Sequence, residues 1–272
     1  MSLRATVSNW HFVEKGSGPP LLLLHGLGAS GFSWRDNLGP LSRLFRVVAP
    51  DLPGHGRSPA PLDGDYSLEG MVKGIVGFLD QRGIQKAAVA GNSLGGGLAL
   101  MLARDYPERV SALILLAPAA AMTRLPYIFY PLSLPGVGKM LAPLLLGPWI
   151  IPFALRLAYH RRKLITPAVV AGYAAPFREK RRRLALASLC HQLHIPPLAA
   201  IEAMLAQLRQ PATIIWGERD RILPVRHAHW LRERLPQAEF HLLPEVGHAP
   251  QEEVPALVNE IIIDFLTRSI NN

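Results

Sequence analysis

The sequence predicts an α/β fold, a mostly parallel sheet flanked by helices and interrupted by a helical insertion. Short apolar runs alternate with stretches of helical periodicity in residues 20–116 and again in residues 212–270, which is the pattern of βαβ units. Between these two parts, residues 118–210 contain many prolines and no clear strand-like run. We therefore expect one α/β domain, residues 1–117 and 211–272, into which residues 118–210 are inserted.

The individual elements follow from the spacing of apolar residues. Continuous apolar runs are typical of strands buried on both faces, and apolar residues at i, i+3, i+4 and i+7 are typical of amphipathic helices. The predicted strands are residues 21–24, 46–49, 87–90, 110–116, 212–216 and 239–243. The predicted helices are residues 67–82, 94–106, 178–193, 225–235 and 252–270.

Length and composition exclude several classes of protein. A chain of 272 residues with 49% hydrophobic and 18% charged residues can bury a large core and is not intrinsically disordered. Cys190 is the single cysteine, so an intrachain disulfide framework and a cysteine-based zinc site are excluded. The N-terminal residues are too polar for a visible signal peptide. These features predict a cytoplasmic protein.

The net charge of +9 is unevenly distributed. Residues 118–210 contain twelve basic and two acidic residues, a net charge of +10, and the remainder carries about −1. A strongly basic chain suggests nucleic acid as a partner, but the aromatic and basic interleaving of a nucleic-acid module is missing. We expect no nucleic-acid partner. A weak association of the insertion with an anionic membrane or lipid interface stays open.

A G-x-S-x-G sequence, Gly91-Asn92-Ser93-Leu94-Gly95, lies between a predicted strand and a predicted helix. A serine at such a sharp turn has strained backbone, and bulk two residues to either side would clash, so glycine is needed there. The turn places the Ser93 hydroxyl at a helix N-terminus, where N–H groups favour developing negative charge. The strand and helix on either side favour a nucleophile over an incidental serine in a glycine-rich turn.

A serine nucleophile needs a base, and the base needs an orienting carboxylate. His248 follows the strand-like residues 239–243, and Asp220 follows the strand-like residues 212–216. Both therefore lie at carboxyl ends of predicted strands, where open α/β sheets bind ligands. Ser93, Asp220 and His248 are the candidate catalytic residues.

Five motifs in this chain order resemble the α/β-hydrolase fold superfamily over nearly the whole length. They are Leu23–Gly28 (LLHGLG), Asp51–Ser58 (DLPGHGRS), Gly91–Gly96 (GNSLGG), Trp216–Asp220 (WGERD) and Gly247–Pro250 (GHAP). The resemblance implies an eight-stranded, mostly parallel sheet, with residues 118–210 as a helical cap, or lid. It implies Ser93 as nucleophile, His248 as base and Asp220 as its orienting acid. The backbone N–H groups of Leu27 and Leu94 would form the oxyanion hole.

Other polar residues have simpler interpretations. His25 and His55 belong to loop motifs in which the histidine of this superfamily usually braces the backbone. Glu218 and Glu245 are rival carboxylates but are more typical of solvated loop charges. His191 and His194 lie three positions apart, but no further nearby side chain completes a metal shell around them, so we predict no metal and no cofactor.

Serine at the nucleophile position suits acyl transfer, and the sequence predicts a carboxylesterase or lipase-like enzyme acting on a small hydrophobic ester. An alternative is carbon–carbon bond hydrolysis, because Gly-Asn-Ser-x-Gly-Gly also resembles the meta-cleavage-product hydrolases. Those enzymes tend to have an aromatic residue after the catalytic histidine, and this chain has Ala249. A small-molecule receptor or signalling protein that retains the triad is a further alternative. Oligomeric state is not predicted.

Residues 140–155 form an uncharged stretch broken by Pro143, Gly147, Pro148 and Pro152. A membrane-spanning helix needs roughly 20 apolar residues with few interruptions, so we expect this stretch not to span a membrane. Trp149, Phe153 and Tyr159 are candidate substrate-binding residues. They could equally pack the insertion onto the sheet domain.

Overall fold

The computed structural model describes residues 9–122, 130–134 and 136–271. In this part of the chain, seven strands form one sheet in the order β1-β3-β2-β4-β5-β6-β7. The strands are β1 Phe12–Lys15, β2 Pro20–Leu24, β3 Arg46–Pro50, β4 Ala87–Asn92, β5 Val110–Leu116, β6 Ala212–Gly217 and β7 Glu239–Leu243. The strand β1 runs antiparallel to β3, and all other neighbours are parallel.

All six predicted strands are confirmed, and β1 is a strand that the sequence did not predict. The resemblance implied eight strands, and seven are found in the described residues. The central strands β2, β4 and β6 are buried along almost their whole length, because helices cover both faces of a parallel sheet. In contrast, β1 is an edge strand that is only half-buried, so it lacks a continuous apolar run.

Helices of the two core parts flank the sheet. They are α1 Arg35–Leu41, α2 Leu68–Gln81, α3 Leu94–Asp105, α10 Arg226–Arg234, α11 Pro250–Glu253 and α12 Pro255–Asn271. Ser67 caps α2, since its hydroxyl accepts a hydrogen bond from the Gly70 N–H at 3.0 Å, as expected for a serine before a helix. The final helix predicted over 252–270 is found as α12, but it begins at Pro255 and the short helix α11 precedes it, because Pro255 has no N–H to continue a helix from the residues before it.

Residues 118–210, here called the insert, are helical and contain no strand wherever the structure describes them. The helices are α4 Tyr130–Ser133, α5 Val137–Leu145, α6 Ile151–Ala158, α7 Pro167–Ala174, α8 Lys180–Gln192 and α9 Leu198–Leu205. Much of the insert packs around its own apolar cluster, which includes Leu146, Leu155, Phe177 and the buried Cys190. Its last helix, α9, packs instead on the apolar cluster of the sheet through Ile201, Met204 and Leu205, and the division of the chain at residues 118 and 210 stays a prediction.

In the described ranges, none of the individual helices combines the length and the apolar character needed to cross a bilayer. Only the pair Val137–Leu145 and Pro148–Ala158 together is long and apolar enough, and the two are bent by 72° relative to each other.

Candidate active site

The predicted nucleophile lies on a strained turn between β4 and α3. Ser93 has a positive φ of 54°, a conformation that a non-glycine residue rarely adopts without a structural reason. The Ser93 N–H donates to the Leu116 carbonyl at 3.0 Å, and its own carbonyl accepts from the N–H groups of Gly97 and Ala119. These hydrogen bonds fix the turn against the carboxyl end of β5.

The glycines around Ser93 are explained by close backbone contacts. A Cβ atom on Gly91 would lie 2.3 Å from the Gly95 carbonyl oxygen, and one on Gly95 would lie 2.3 Å from the Leu24 carbonyl oxygen. Such distances are far below van der Waals contact. Both positions therefore require glycine, as the sequence motif indicates.

His248 and Asp220 are brought together by the loops after β7 and β6. His248 Nδ1 and Asp220 Oδ2 are 2.7 Å apart, and both side chains are buried. The other carboxylate oxygen, Asp220 Oδ1, accepts from the N–H groups of Ile222 and Leu223, each at 2.8 Å. Because Asp220 occupies Nδ1, the nitrogen of His248 left for proton transfer is Nε2.

The backbone of His248 is held by two residues that the sequence did not identify. Asn92 Nδ2 donates to the His248 carbonyl at 3.0 Å and to the Leu116 carbonyl at 3.1 Å. The His248 N–H donates to the Ala158 carbonyl of α6 at 2.7 Å. Asn92 stands beside Ser93 in the G-x-S-x-G motif, but nothing in the sequence shows what its side chain contacts.

The two predicted oxyanion-hole residues belong to segments that adjoin Ser93. Leu94 is the first residue of α3, so its N–H has no acceptor within the helix. Leu27 lies in the turn between Gly26 and Gly28, and a Cβ atom on Gly26 would be 3.2 Å from Ser93 Cβ. Leu27 and Leu94 line the same cavity as Ser93 and His248. Their role as hydrogen-bond donors to an oxyanion stays a prediction.

This cavity has a volume of about 520 Å³, which is within the range of small-molecule sites. Most of its lining is apolar and comes from the insert, with Leu146, Ile150, Leu155 and Phe177 among its residues. The charged residues on its wall, among those described, are Glu69, Arg104 and Glu252. Arg104 is paired with Asp105 through two hydrogen bonds of 2.5 and 2.8 Å.

A buried polar cluster forms one wall of the cavity. Glu252 accepts hydrogen bonds from the hydroxyls of Tyr159 and Tyr173, at 2.7 and 2.6 Å, and is paired with Arg35. Burial raises the pKa of Glu252, although Arg35 and the two hydroxyls act in the opposite direction. Nothing in the sequence singled out this cluster, because its members are far apart in the chain.

The three predicted substrate-binding residues have different positions. Phe153 and Tyr159 line the cavity. Trp149 does not line it, because its side chain lies on the outer surface of the insert with 61% of its area exposed.

His25 and His55 do not face the cavity. The Leu52 N–H donates to His25 Nε2 at 2.9 Å, so this nitrogen must be unprotonated, and His25 Nδ1 lies 2.8 Å from the Gly26 carbonyl oxygen. His55 Nδ1 lies 3.0 Å from the Pro53 carbonyl oxygen. These contacts with backbone agree with the predicted bracing role.

Glu218 and Glu245 are both exposed and lie away from the cavity wall. Glu245 makes hydrogen bonds with Arg219 at 2.8 Å and with His160 at 2.8 Å. Of the described carboxylates, Asp220 is the one that contacts His248.

A family model of the alpha/beta hydrolase fold matches residues 19–255. The chain therefore belongs to the alpha/beta hydrolase fold family, a family of hydrolases.

Relatives with two kinds of activity are similar to this chain. A 2-hydroxy-6-oxo-6-phenylhexa-2,4-dienoate hydrolase from Burkholderia cepacia is 30% identical, over 94% of this chain and 90% of that protein. A 2-hydroxymuconate semialdehyde hydrolase from Pseudomonas putida is 31% identical, with the same coverage of 94% and 90%. The structure of a thermophilic esterase from Thermogutta terrifontis is 25% identical, with a TM-score of 0.80 over 96% of this chain and 93% of that one.

Proposed function

We propose that this protein is a serine hydrolase that cleaves carboxylic esters with an apolar acyl or alcohol group. The observation that carries the proposal is that Ser93 and His248 line the same largely apolar cavity, and that His248 is hydrogen-bonded to Asp220. Serine, rather than aspartate, at the nucleophile position suits attack on a carbonyl carbon.

In the proposed mechanism, Ser93 Oγ attacks the ester carbonyl while His248 Nε2 takes the hydroxyl proton. Asp220 holds the imidazole by its Nδ1–H and stabilises the imidazolium. The oxyanion is bound by the N–H groups of Leu27 and Leu94. The intermediate collapses with proton transfer from His248 to the leaving alcohol, and an acyl-enzyme remains. Water, deprotonated by His248, then attacks the acyl carbon and releases the acid and free Ser93.

Carbon–carbon bond hydrolysis is a second candidate, because relatives at 30 and 31% identity are named for it. A dienoate substrate carries a carboxylate, and a buried anion needs a cationic or hydrogen-bonding partner. Arg104, the cation found on the described cavity wall, is already paired with Asp105. This pairing, together with Ala249 in place of an aromatic residue, supports a neutral ester as the substrate.

The test is a substrate panel. Purified protein would be assayed with p-nitrophenyl acetate, butyrate and octanoate, and with 2-hydroxy-6-oxo-6-phenylhexa-2,4-dienoate. We expect repeated turnover of the esters, and a loss of kcat by a factor of about 10⁴ or more in Ser93→Ala. Ser111→Ala, at an exposed position on β5, is the matched control and should retain wild-type rates.

The panel separates the alternatives. A much higher kcat/KM for the dienoate than for every ester would reject the ester proposal in favour of carbon–carbon hydrolysis. Product release limited to one equivalent per protein would instead indicate a receptor that is acylated once. Retention of activity in Ser93→Ala would reject Ser93 as the nucleophile.

A further inference from the structure

Exposed apolar side chains are concentrated on one segment of the insert. Of the eleven large apolar side chains that are exposed in the described residues, eight lie within residues 130–153. We call these eight the apolar patch: Tyr130, Leu134, Val137, Met140, Leu144, Leu145, Trp149 and Phe153. On the surface of a soluble protein such side chains are normally scattered singly, and a contiguous group of them marks an interaction site.

Within each of the two helical segments, spacing places members of the apolar patch on one outer face. In α5, the exposed residues Val137, Met140 and Leu144 are three and four positions apart, and Gly138 and Ala142 are buried on the opposite side. Trp149 and Phe153 are four positions apart, which gives the next helical segment an apolar outer face as well. The Trp149 ring lies against Gly147, where a Cβ atom would be 2.2 Å from it. The ring is thereby held at the surface.

Basic side chains accompany the patch without acidic partners. No acidic residue occurs in the sequence between Pro118 and Arg178. Lys139 and Arg156 are exposed on the two helical segments of the patch, and neither has a salt bridge to any residue that the structure describes. Arg181 and Arg182, by contrast, donate to core carbonyls and are not free for a partner.

We propose that the apolar patch docks on an anionic lipid bilayer, with Lys139 and Arg156 contacting lipid headgroups. An apolar face flanked by basic residues binds in the plane of such an interface, through burial of apolar area and attraction to anionic headgroups. The two short segments, bent by 72°, lie on the bilayer and do not cross it. A second copy of this chain fits the patch poorly, since a symmetric contact would bring the same unpaired basic residues together.

The cavity is continuous with this surface. Leu145 and Phe153 belong to the apolar patch and also line the cavity. On the proposed function, an apolar ester dissolved in the bilayer would meet the cavity entrance directly. Docking itself does not depend on the reaction and is tested without it.

The test uses full-length Ser93→Ala protein and vesicles of phosphatidylcholine, with or without phosphatidylglycerol. Cosedimentation should show binding that requires phosphatidylglycerol and weakens with salt. Lys139→Glu/Arg156→Glu should weaken this binding by about tenfold or more. The matched control, Lys15→Glu/Lys86→Glu, makes the same change in net charge at exposed positions near the amino ends of the parallel strands β3 and β4. It should change binding by less than about threefold.

A second pair of variants tests the apolar contribution. Met140→Ser/Leu144→Ser removes two side chains that are 68 and 69% exposed, and Leu44→Ser/Leu62→Ser removes two that are 50 and 47% exposed outside the insert. The first pair should lose most vesicle binding, and the second should retain it. Circular dichroism and the thermal midpoint check that each variant is folded.

Tryptophan emission measures insertion directly at Trp149, because Trp10, Trp34 and Trp216 are buried and Trp230 is half-buried in α10 of the core, outside the insert. Lipids with brominated acyl chains should quench tryptophan emission of the parent protein and not of Trp149→Phe. Equal binding to neutral and anionic vesicles, equal losses in test and control pairs, or no quenching would overturn the proposal. A dimer that Met140→Ser/Leu144→Ser converts to monomer, without vesicle binding by the parent, would assign the patch to self-association instead.

Discussion

Three acidic residues near the candidate site differ sharply in environment. Asp220 is buried with both carboxylate oxygens in hydrogen bonds, one of them to His248. Glu218 and Glu245 are exposed, and neither contacts the imidazole. A carboxylate can orient a histidine only through a direct, water-excluded hydrogen bond. Position in the chain alone did not distinguish Asp220 from the two glutamates as the acid that orients His248. The contact with His248 does.

Asp220→Asn should therefore lower kcat for p-nitrophenyl butyrate by about 10³- to 10⁴-fold, because an amide can neither fix the required tautomer nor stabilise the imidazolium. KM should change little, since Asp220 does not line the cavity. Glu218→Gln and Glu245→Gln are the controls and should remain within about threefold of wild type. Steady-state kinetics on the three variants decide the assignment; a larger loss in either glutamate variant would contradict it.

His55 links the stability of the protein to pH. Burial, together with the neighbouring His25, lowers the pKa of His55 to about 3, while the unfolded state titrates near the ordinary value of about 6.5. Between these values the unfolded chain binds a proton that the folded chain does not. Stability should therefore fall as pH decreases from about 6.5 toward 3, by up to about 1.4 kcal/mol per pH unit from this residue.

Urea unfolding from pH 7 to pH 5 measures this effect. His55→Gln should show a shallower loss of stability with decreasing pH than wild type does. His194→Gln changes an exposed histidine and serves as the control, with a slope close to that of wild type. Parallel curves for wild type and His55→Gln would refute the linkage.

At the scale of elements, the predictable part of the fold is the part with strong local signals. Buried strands such as β5 are continuous apolar runs, and α2 begins directly after its capping Ser67. The missed elements have weak signals: β1 is a half-buried edge strand, and α1 contains Gly39 and Pro40. Their conformations depend on tertiary packing, which overrides local propensity.

The turn at Ser93, between β4 and α3, can be tested by filling the space beside one of its glycines. Gly95→Ala would place a Cβ atom 2.3 Å from the Leu24 carbonyl oxygen, so α3 must shift and carry the turn at Ser93 with it. We expect a loss of about 1–3 kcal/mol in unfolding free energy and at least about a hundredfold loss in kcat. Chemical denaturation and ester kinetics on the same preparation measure both.

Gly39→Ala is the matched control for this substitution. Gly39 lies within α1, and a Cβ atom there would meet nothing within 4 Å. Alanine should be neutral or stabilising by up to about 1 kcal/mol at that position. Similar effects of the two substitutions would show that the close contact at Gly95 does not determine the conformation of the turn at Ser93.

At the scale of the whole molecule, the insert is joined to the core by buried polar contacts. The hydroxyls of Tyr159 and Tyr173, both in the insert, meet Glu252 of the core. Arg181 and Arg182 donate to the carbonyls of Ala60 and Ser58. Composition shows that the excess positive charge lies in the insert. The folded structure is needed to distinguish the arginines that bind the core from the basic residues that remain exposed.

Tyr173→Phe should destabilise the protein by about 1–3 kcal/mol, because it removes a hydrogen bond to a buried carboxylate. Tyr130→Phe, at an exposed position of the insert, should stay within about 0.5 kcal/mol of wild type. Urea denaturation at neutral pH compares the two. An unchanged midpoint for Tyr173→Phe would mean that the contact with Glu252 does not contribute to the attachment of the insert.

The hydrogen bond from the His248 N–H to the Ala158 carbonyl has a consequence for protein engineering. Exchanging the lids of related hydrolases is attractive as a way to graft one substrate pocket onto another scaffold. In this molecule such a graft also removes the backbone carbonyl that holds His248, the candidate base, in place. A chimaera should therefore supply a carbonyl at the same place, so the insert and the candidate site cannot be exchanged independently.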